Sequence, residues 1–347
     1  MRDLNTVLQK VISAFISNAN AYTCKPFGNG LINDTYLIDI ADNNRKFILQ
    51  KINTTIFKYP EVIARNISYI QKAIDAKHPK PVSLEFLECS SGELFHTDED
   101  QQLWRMSIWV PQSITLTNIS SPEQAYQTAN AFGFFSTHLQ GNSSLHIETS
   151  IPDFHNLTLR YQSFKTAIEN SSSSRYLEAK KWIDFLQSKV TILERYESII
   201  KDEILPVRIQ HGDTKISNIL FDEHSLQPLC VIDWDTVMPG YFISDLGDMI
   251  RTIVPSCDEN EADLNKVFFR TEYYHALLKG YKDAVSLTPA ELEAVPFAGR
   301  FMTYMQALRF ITDYLNNDVY YQISYEEHNL VRAKNQCHFL QLIEENT

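Results

Sequence analysis

Residues 211–222 read HGDTKISNILFD, and residues 230–240 follow as CVIDWDTVMPG. Asp213 is followed five residues later by Asn218, and Asp233 ends a short apolar run. Ile219–Phe221 and Leu229–Ile232 alternate with turn residues, as two strands of a hairpin would. Such a hairpin places Asn218 before one strand and Asp233 after the other, so their loops converge. A loop acid accepts a hydroxyl proton, while an amide carbonyl and a carboxylate supply the hard oxygen ligands that Mg²⁺ takes beside a nucleotide's phosphates. The set suits metal-assisted phosphoryl transfer. Asp213 is the candidate base, Asn218 and Asp233 the metal ligands, and Asp235 a candidate for a second metal. Asp and Asn also favour ordinary turns, but the full spacing is far more specific than any one of them.

Upstream, Thr23–Phe27, Thr35–Ile40 and Lys46–Ile52 read as strands. Between the first two lies Gly28-Asn29-Gly30-Leu31-Ile32-Asn33-Asp34, whose glycines let backbone N–H groups approach a phosphate. A G-x-G alone equally marks a hairpin turn. Lys51, near the end of the third strand, is the candidate phosphate-contacting lysine, with Lys46 second. Pro60 opens a helix to about Ala76 with Val62, Ile63, Ile67, Ile70 and Ile74 on its apolar face. Ser83–Cys89 and Leu103–Val110 complete five strands, and Pro111 ends the run.

Downstream the chain reads as helical. Ser121-Pro122-Glu123-Gln124 starts a helix that should stop at Gly141. A helix holding Arg160 follows Ile151–Asn156, and Trp182–Ile200 and Lys266–Lys282 read as helices. Thr288–Glu291 forms a capping box. Phe301–Leu315 is amphipathic, with Arg309 and Asp313 spaced as an i,i+4 pair, and a last helix runs from about Glu326 to Leu342.

The 347 residues bear 31 basic and 43 acidic side chains, a net charge of -12 that argues against broad nucleic-acid or anionic-membrane binding. No apolar run reaches membrane-spanning length. Leu4–Asn18 reads as an amphipathic helix rather than a signal peptide. Five scattered cysteines without a C-x-x-C fit reduced thiols, so a cytoplasmic protein is expected. No protein partner is inferable.

These motifs resemble the aminoglycoside phosphotransferase/choline kinase superfamily, and most of all its N-acetylhexosamine 1-kinase branch. The carriers are FGNGLINDTY (27–36), FILQKINT (47–54), IPDFH (151–155), the 211–222 and 230–240 stretches, DLGDMIR (245–251) and LRFITDYL (308–315). The resemblance implies an α+β, protein-kinase-like two-lobed fold. A five-stranded antiparallel nucleotide-binding lobe would span residues 1–112, and a mostly helical lobe residues 113–347. It implies ATP and Mg²⁺ in the cleft, with Gly28, Gly30, Asn33 and Lys51 at the phosphates. Trp109 and Val110 would lie in the adenine-binding hinge within Leu103–Gln112. Asp213, Arg309 and Tyr320 would touch a small sugar. Leu31 and Thr252 stand where the branch often has His and an aromatic residue, and Pro111-Gln112 where it tends to have an acid. Kinases of aminoglycosides, choline, homoserine or methylthioribose are the nearest alternatives, and an inactive nucleotide-binding module a more distant one.

Overall fold

The computed structural model describes residues 4–17, 21–28, 32–41, 45–77, 81–140 and 146–347. Gly30, Leu31 and the helix stop expected at Gly141 lie outside them. The amino-terminal lobe consists of α1 (Leu4–Phe15), β1 (Tyr22–Pro26), β2 (Asp34–Ile40), β3 (Arg45–Ile52), α2 (Pro60–Asp75), β4 (Phe86–Leu87), β5 (His96–Thr97) and β6 (Leu103–Ile108). All pairings are antiparallel, in the order β1-β2-β3-β6-β4, with β5 also on β6. A sixth, two-residue strand thus joins the expected five, and the strand expected over Ser83–Cys89 shortens to Phe86–Leu87.

Strand alternation gives this sheet two faces. Phe47, Leu49, Trp104 and Met106 point one way and bury the apolar stripe of α1, Leu8, Val11 and Ile12. The opposite face carries Gln50 and its register partner Arg105 toward the second lobe.

The second lobe begins with β7 (Ser113–Thr115) and α3 (Pro122–Leu139), continues through α4 (Leu157–Asn170), α5 (Ser173–Ser188) and α6 (Thr191–Lys201), then β8 (Arg208–Gln210), β9 (Ile219–Asp222), β10 (Pro228–Val231) and β11 (Met238–Gly240). It ends with α7 (Phe242–Ile253), α8 (Thr271–Ala284), α9 (Pro289–Leu315) and α10 (His328–Asn346). The hairpin read from sequence is β9–β10, and β7 adds to its edge. Two helical spans differ from expectation. Trp182–Ile200 is broken between α5 and α6, because Lys189 caps the first helix and Thr191 restarts the chain. Lys266–Lys282 begins only at Thr271, since Phe269 is held in a bridge to Pro255 and the Arg270 guanidinium donates to the carbonyls of Val254 and Ile253. The capping box at Thr288 and Glu291 is present. No helix among the described residues is long and apolar enough to cross a membrane.

The helices pack closely where glycine removes a side chain. A Cβ at Gly280 in α8 would run into the backbone carbonyl of Tyr126 in α3, and Gly133 in α3 leaves room for Ala284 in return. Gly280→Ala should therefore destabilise the protein by about 1–3 kcal/mol, read as a lower urea midpoint. A midpoint unchanged from the parent would mean that the two helices separate freely.

Candidate active site

β8 delivers the chain into His211-Gly212-Asp213 at the floor of the cleft. The loop is fixed from beneath by Asp245 of α7, whose two carboxylate oxygens accept the N–H groups of His211 and Gly212, each at 2.8 Å. Thr214 Oγ1 donates to the Asp245 carbonyl at 2.7 Å. Burial pushes the Asp245 carboxyl up to about 6, against the pull of His211 and of the two backbone donors. Gly212 has φ +82°, and a Cβ there would lie 2.7 Å from the Thr236 carbonyl, so no other residue fits this turn without distortion. The Asp213 N–H donates to His211 Nδ1 at 3.3 Å, which leaves Nε2–H for the Ile232 carbonyl at 2.9 Å. The imidazole thus ties the Asp213 loop to the strand end before Asp233. Phe132 and Phe135 enclose its ring at 5.2 and 5.8 Å.

Asp213 and Asn218 are brought together. Asn218 Nδ2 donates to the Asp213 carbonyl and to Oδ2, both at 2.8 Å, which leaves its own carbonyl oxygen unused by the loop. Lys215 Nζ lies 2.8 Å from the same Oδ2. Burial acts to raise the Asp213 carboxyl, but Lys215, His211 and Asn218 outweigh it and hold it below the usual carboxylate range. The opposite charge of Asp213 raises the Lys215 ammonium. Lys215 was passed over in the sequence, although it stands only two residues after Asp213.

Asp233 sits at the end of the second loop with a left-handed backbone, φ 62°, a conformation Asp tolerates better than bulkier residues. Burial, then the charges of Asp235 and Asp213, push its carboxyl up to about 7. It is the one carboxylate of the cluster with no ion pair and no side-chain hydrogen bond among the described residues. Asp235, expected near a second metal, is committed elsewhere. It is 1% exposed and holds Arg105 of β6 through both oxygens, Nη2 at 3.0 Å, while Asn33 Nδ2 adds a bond of 3.1 Å. Asn33, expected at the phosphates, accepts the Asn53 N–H on its side-chain oxygen at 2.9 Å. Arg105 is braced by Gln50 Oε1 at 2.9 Å.

Lys51 is not brought to this cluster. It pairs in register with Trp104 and shares the face of Phe47 and Leu49, on the α1 side of the sheet. Alternation from Gln50 turns it away from the cleft, and the cation facing Asp235 is Arg105. Gly28 keeps φ +77° with open space around it. Phe27 packs edge-on against Trp109 at 5.4 Å, and Ser113 Oγ donates to the Val110 carbonyl at 2.6 Å. Those contacts set the start of the glycine loop against the segment that leaves the sheet.

At the far side of Asp213 lie Phe154, His155, Arg160, Arg251, Arg309 and Tyr320. Arg251 bonds Asp248 at 3.0 and 2.8 Å and Glu259 at 2.6 Å. Burial, then the neighbouring Arg309, Arg160 and Arg251 charges, push His155 down to about 3, while Asp213 acts in the opposite sense. The imidazole is therefore neutral and stands between the arginines and the acid. The guanidinium of Arg309 lies 5.8 Å from the Tyr320 ring, 5.4 Å from Tyr321 and 5.9 Å from Phe154. Thr252 hydrogen-bonds back to the Asp248 carbonyl at 2.8 Å.

Among the described residues no three His, Cys, Asp or Glu side chains converge as a preformed metal cage. Mg²⁺ does not require one. It is typically held by one or two carboxylates together with waters and substrate phosphates. The unneutralised Asp233 carboxylate and the spare Asn218 carbonyl fit that donor set.

Residues 23–284 match the phosphotransferase enzyme family, APH, and the chain belongs to it. Its fold is shared with an amicoumacin kinase solved with AMP-PNP and Ca²⁺, at 16% identity, 99% coverage of this chain and 95% of that one, TM-score 0.63. A microcompartment-associated aminopropanol kinase aligns at 14% identity, 98% and 97% coverage, TM-score 0.65. Choline kinase from Cryptosporidium parvum Iowa II aligns at 11% identity, 99% and 96% coverage, TM-score 0.60. These likenesses establish the protein-kinase-like two-lobed architecture, with a sheet lobe and a helical lobe.

Arg105→Met should lower stability by about 3–5 kcal/mol by leaving Asp235 buried and unpaired, and Arg105→Met with Asp235→Leu should cost much less. Equal losses in the single and double variants, measured by denaturant unfolding, would show that the charge is not the cause. For Asp233 the folded pKa of about 7 exceeds the ordinary carboxyl value of 3.8, so the folded state holds the proton more tightly. Its stability contribution is present below pH 4 and is lost as pH rises through 7. Without nucleotide, Asp233→Asn should therefore gain on the parent between pH 4 and 7 by up to roughly 4 kcal/mol. A pH-independent difference between the two would contradict this.

Proposed function

We propose that this member of the phosphotransferase enzyme family is an ATP- and Mg²⁺-dependent kinase of a small hydroxyl compound. Its preferred acceptor is the anomeric C1 hydroxyl of an N-acetylhexosamine or a related hexose. The observation that carries the reading is one pair of neighbours. Asp213 is kept ionised by Lys215 and Asn218, and Asp233 beside it is a half-buried carboxylate without an ion pair among the described residues. The sugar assignment rests on the branch motifs and on Arg309 and Tyr320.

In this reading residues 1–112 hold the nucleotide and residues 113–347 hold the catalytic loop and the acceptor. When bound, Mg²⁺ supplies positive charge against the phosphate oxygens and organises them for transfer. Asn218 and Asp233 are its protein ligands. The acceptor hydroxyl is placed within hydrogen-bond reach of Asp213, which takes its proton as the oxygen attacks. Lys215 keeps Asp213 deprotonated while the cleft is free. Arg105, fixed by Asp235 and Gln50, keeps positive charge at the sheet side of the cleft. Trp109 and Val110 line the edge where the nucleobase enters.

Asp213→Asn should lower kcat by about 10²–10⁴-fold with nucleotide affinity little changed. Phosphorus NMR of the protein with ATP, Mg²⁺ and a sugar panel should show a C1 phosphate. Phosphate at C6, or near-parental turnover by the Asp213 variant, refutes the assignment.

A further inference from the structure

Of the four cations named around the acceptor side of Asp213, two have an acidic partner and two do not. Lys215 is paired with Asp213, and Arg251 with Asp248 and Glu259. Arg160 and Arg309 make no ion pair among the described residues. Among the described residues Arg160 Nη2 donates to the carbonyls of Asp153 and Phe154, at 3.4 and 3.1 Å, and its buried Nε has no partner. Arg309 donates from Nη1 to Gln306 Oε1 at 3.2 Å.

Their natural acids are engaged elsewhere. Asp313, one turn from Arg309, is 5% exposed and accepts the N–H groups of Tyr320 and Tyr321, each at 2.9 Å, and Asn329 Nδ2 at 2.9 Å. The Asp153 carboxylate accepts from Asn156 Nδ2 at 2.9 Å. The two guanidinium groups also act on each other. Burial first, and Arg309 next, lower the pKa of Arg160. A half-buried pair of like charges with an unsatisfied donor is costly unless something of opposite sign completes it. The rings of Phe154, Tyr320 and Tyr321 around Arg309 offset that cost only in part.

We propose that the acceptor carries an anionic group, a carboxylate or phosphate on the hydroxyl compound, held by Arg160 and Arg309 while its reacting hydroxyl faces Asp213. Guanidinium forks suit both anions because they donate two parallel hydrogen bonds. His155, uncharged between the arginines and Asp213, lets the anion and the general base coexist without a competing cation. Cationic acceptors are disfavoured by the same pair. The proposal rests on the phosphotransferase reading and takes an acidic hexose, in place of a neutral N-acetylhexosamine, as the preferred acceptor.

The test uses the intact protein loaded with AMP-PNP and Mg²⁺. Isothermal titration compares glucuronate, galacturonate and glucose 6-phosphate with glucose, galactose, N-acetylglucosamine and glucosamine. At least one acid should bind about 10- to 100-fold more tightly than its neutral counterpart, and the better acid identifies carboxylate or phosphate as the recognised group. Arg160→Gln and Arg309→Gln should each remove most of that preference, with AMP-PNP affinity and circular dichroism unchanged. Acids binding no better than the neutral sugars, or a preference that survives both substitutions, overturns the proposal. Parallel phosphorus NMR with ATP separates the two readings. Transfer to N-acetylglucosamine without any preference for acids leaves the kinase reading standing and sinks the anion site. Tight acid binding without transfer to any hydroxyl upholds the anion site and sinks the kinase reading.

Discussion

Four carboxylates, Asp213, Asp233, Asp235 and Asp248, crowd one water-poor cleft, and the surrounding structure is arranged around neutralising three of them. Their partners come from three different elements: Lys215 from the same loop, Arg105 from β6 and Arg251 from α7. Bringing like charges together in a medium that screens them poorly is strongly unfavourable without such partners. The Arg105–Asp235 pair spans the two lobes, so the requirement for neutrality also joins sheet to helical lobe. The fourth acid, Asp233, has no ion pair among the described residues, and burial raises its pKa. A cleft that neutralises three acids and leaves one open suits an exchangeable cation.

The same loops are held by neutral hydrogen bonds that leave the charged groups free to act. Asp245 takes up two backbone N–H groups beneath His211, and Thr236 Oγ1 closes on the His211 carbonyl at 2.7 Å. Ser150 Oγ donates to the Asp235 carbonyl at 2.9 Å. Gly212 and Asp233 both use positive φ, so the two loops bend sharply enough to face each other. Rigid support of this kind lets a small number of side chains be placed within hydrogen-bond distance before any ligand arrives.

Much of this was legible in the chain. The spacing from Asp213 to Asn218 and the apolar run before Asp233 are local features, and local hydrogen-bond geometry realises them. Strand and helix periodicities separated a strand-rich first third from a helical remainder, and the two-lobed fold class was implied by the family resemblance. The misplaced residues are those whose role depends on strand face or distant register. Lys51 looks like a phosphate lysine by its place along β3, but one residue of alternation sends it to the α1 face. Arg105 takes the cleft side because it sits opposite Gln50 across two strands, a pairing no spacing reveals. Asp235 resembled a ligand because it follows Asp233 so closely, yet its partner lies 130 residues away. Arg309 and Asp313 have the spacing of a surface ion pair, whereas Asp313 is drawn inward by the backbone of Tyr320 and Tyr321.

Chemistry and acceptor choice are consequently encoded in different ways. The groups proposed for phosphoryl transfer lie on two adjacent loops within 21 residues, Asp213 to Asp233, and their mutual charges define one another. The proposed acceptor wall draws on Phe154, His155 and Arg160 before the central stretch and on Arg309 and Tyr320 long after it. No local compensation acts among these residues, so their net sign is free to change without disturbing Asp213, Asn218 or Asp233. On that reading the sign in this chain is positive, because Asp313 is spent on the Tyr320 and Tyr321 N–H groups and Asp153 on the Asn156 amide. An acceptor site whose charge is decoupled from the catalytic loop allows one phosphotransferase scaffold to keep its reaction while its substrate changes.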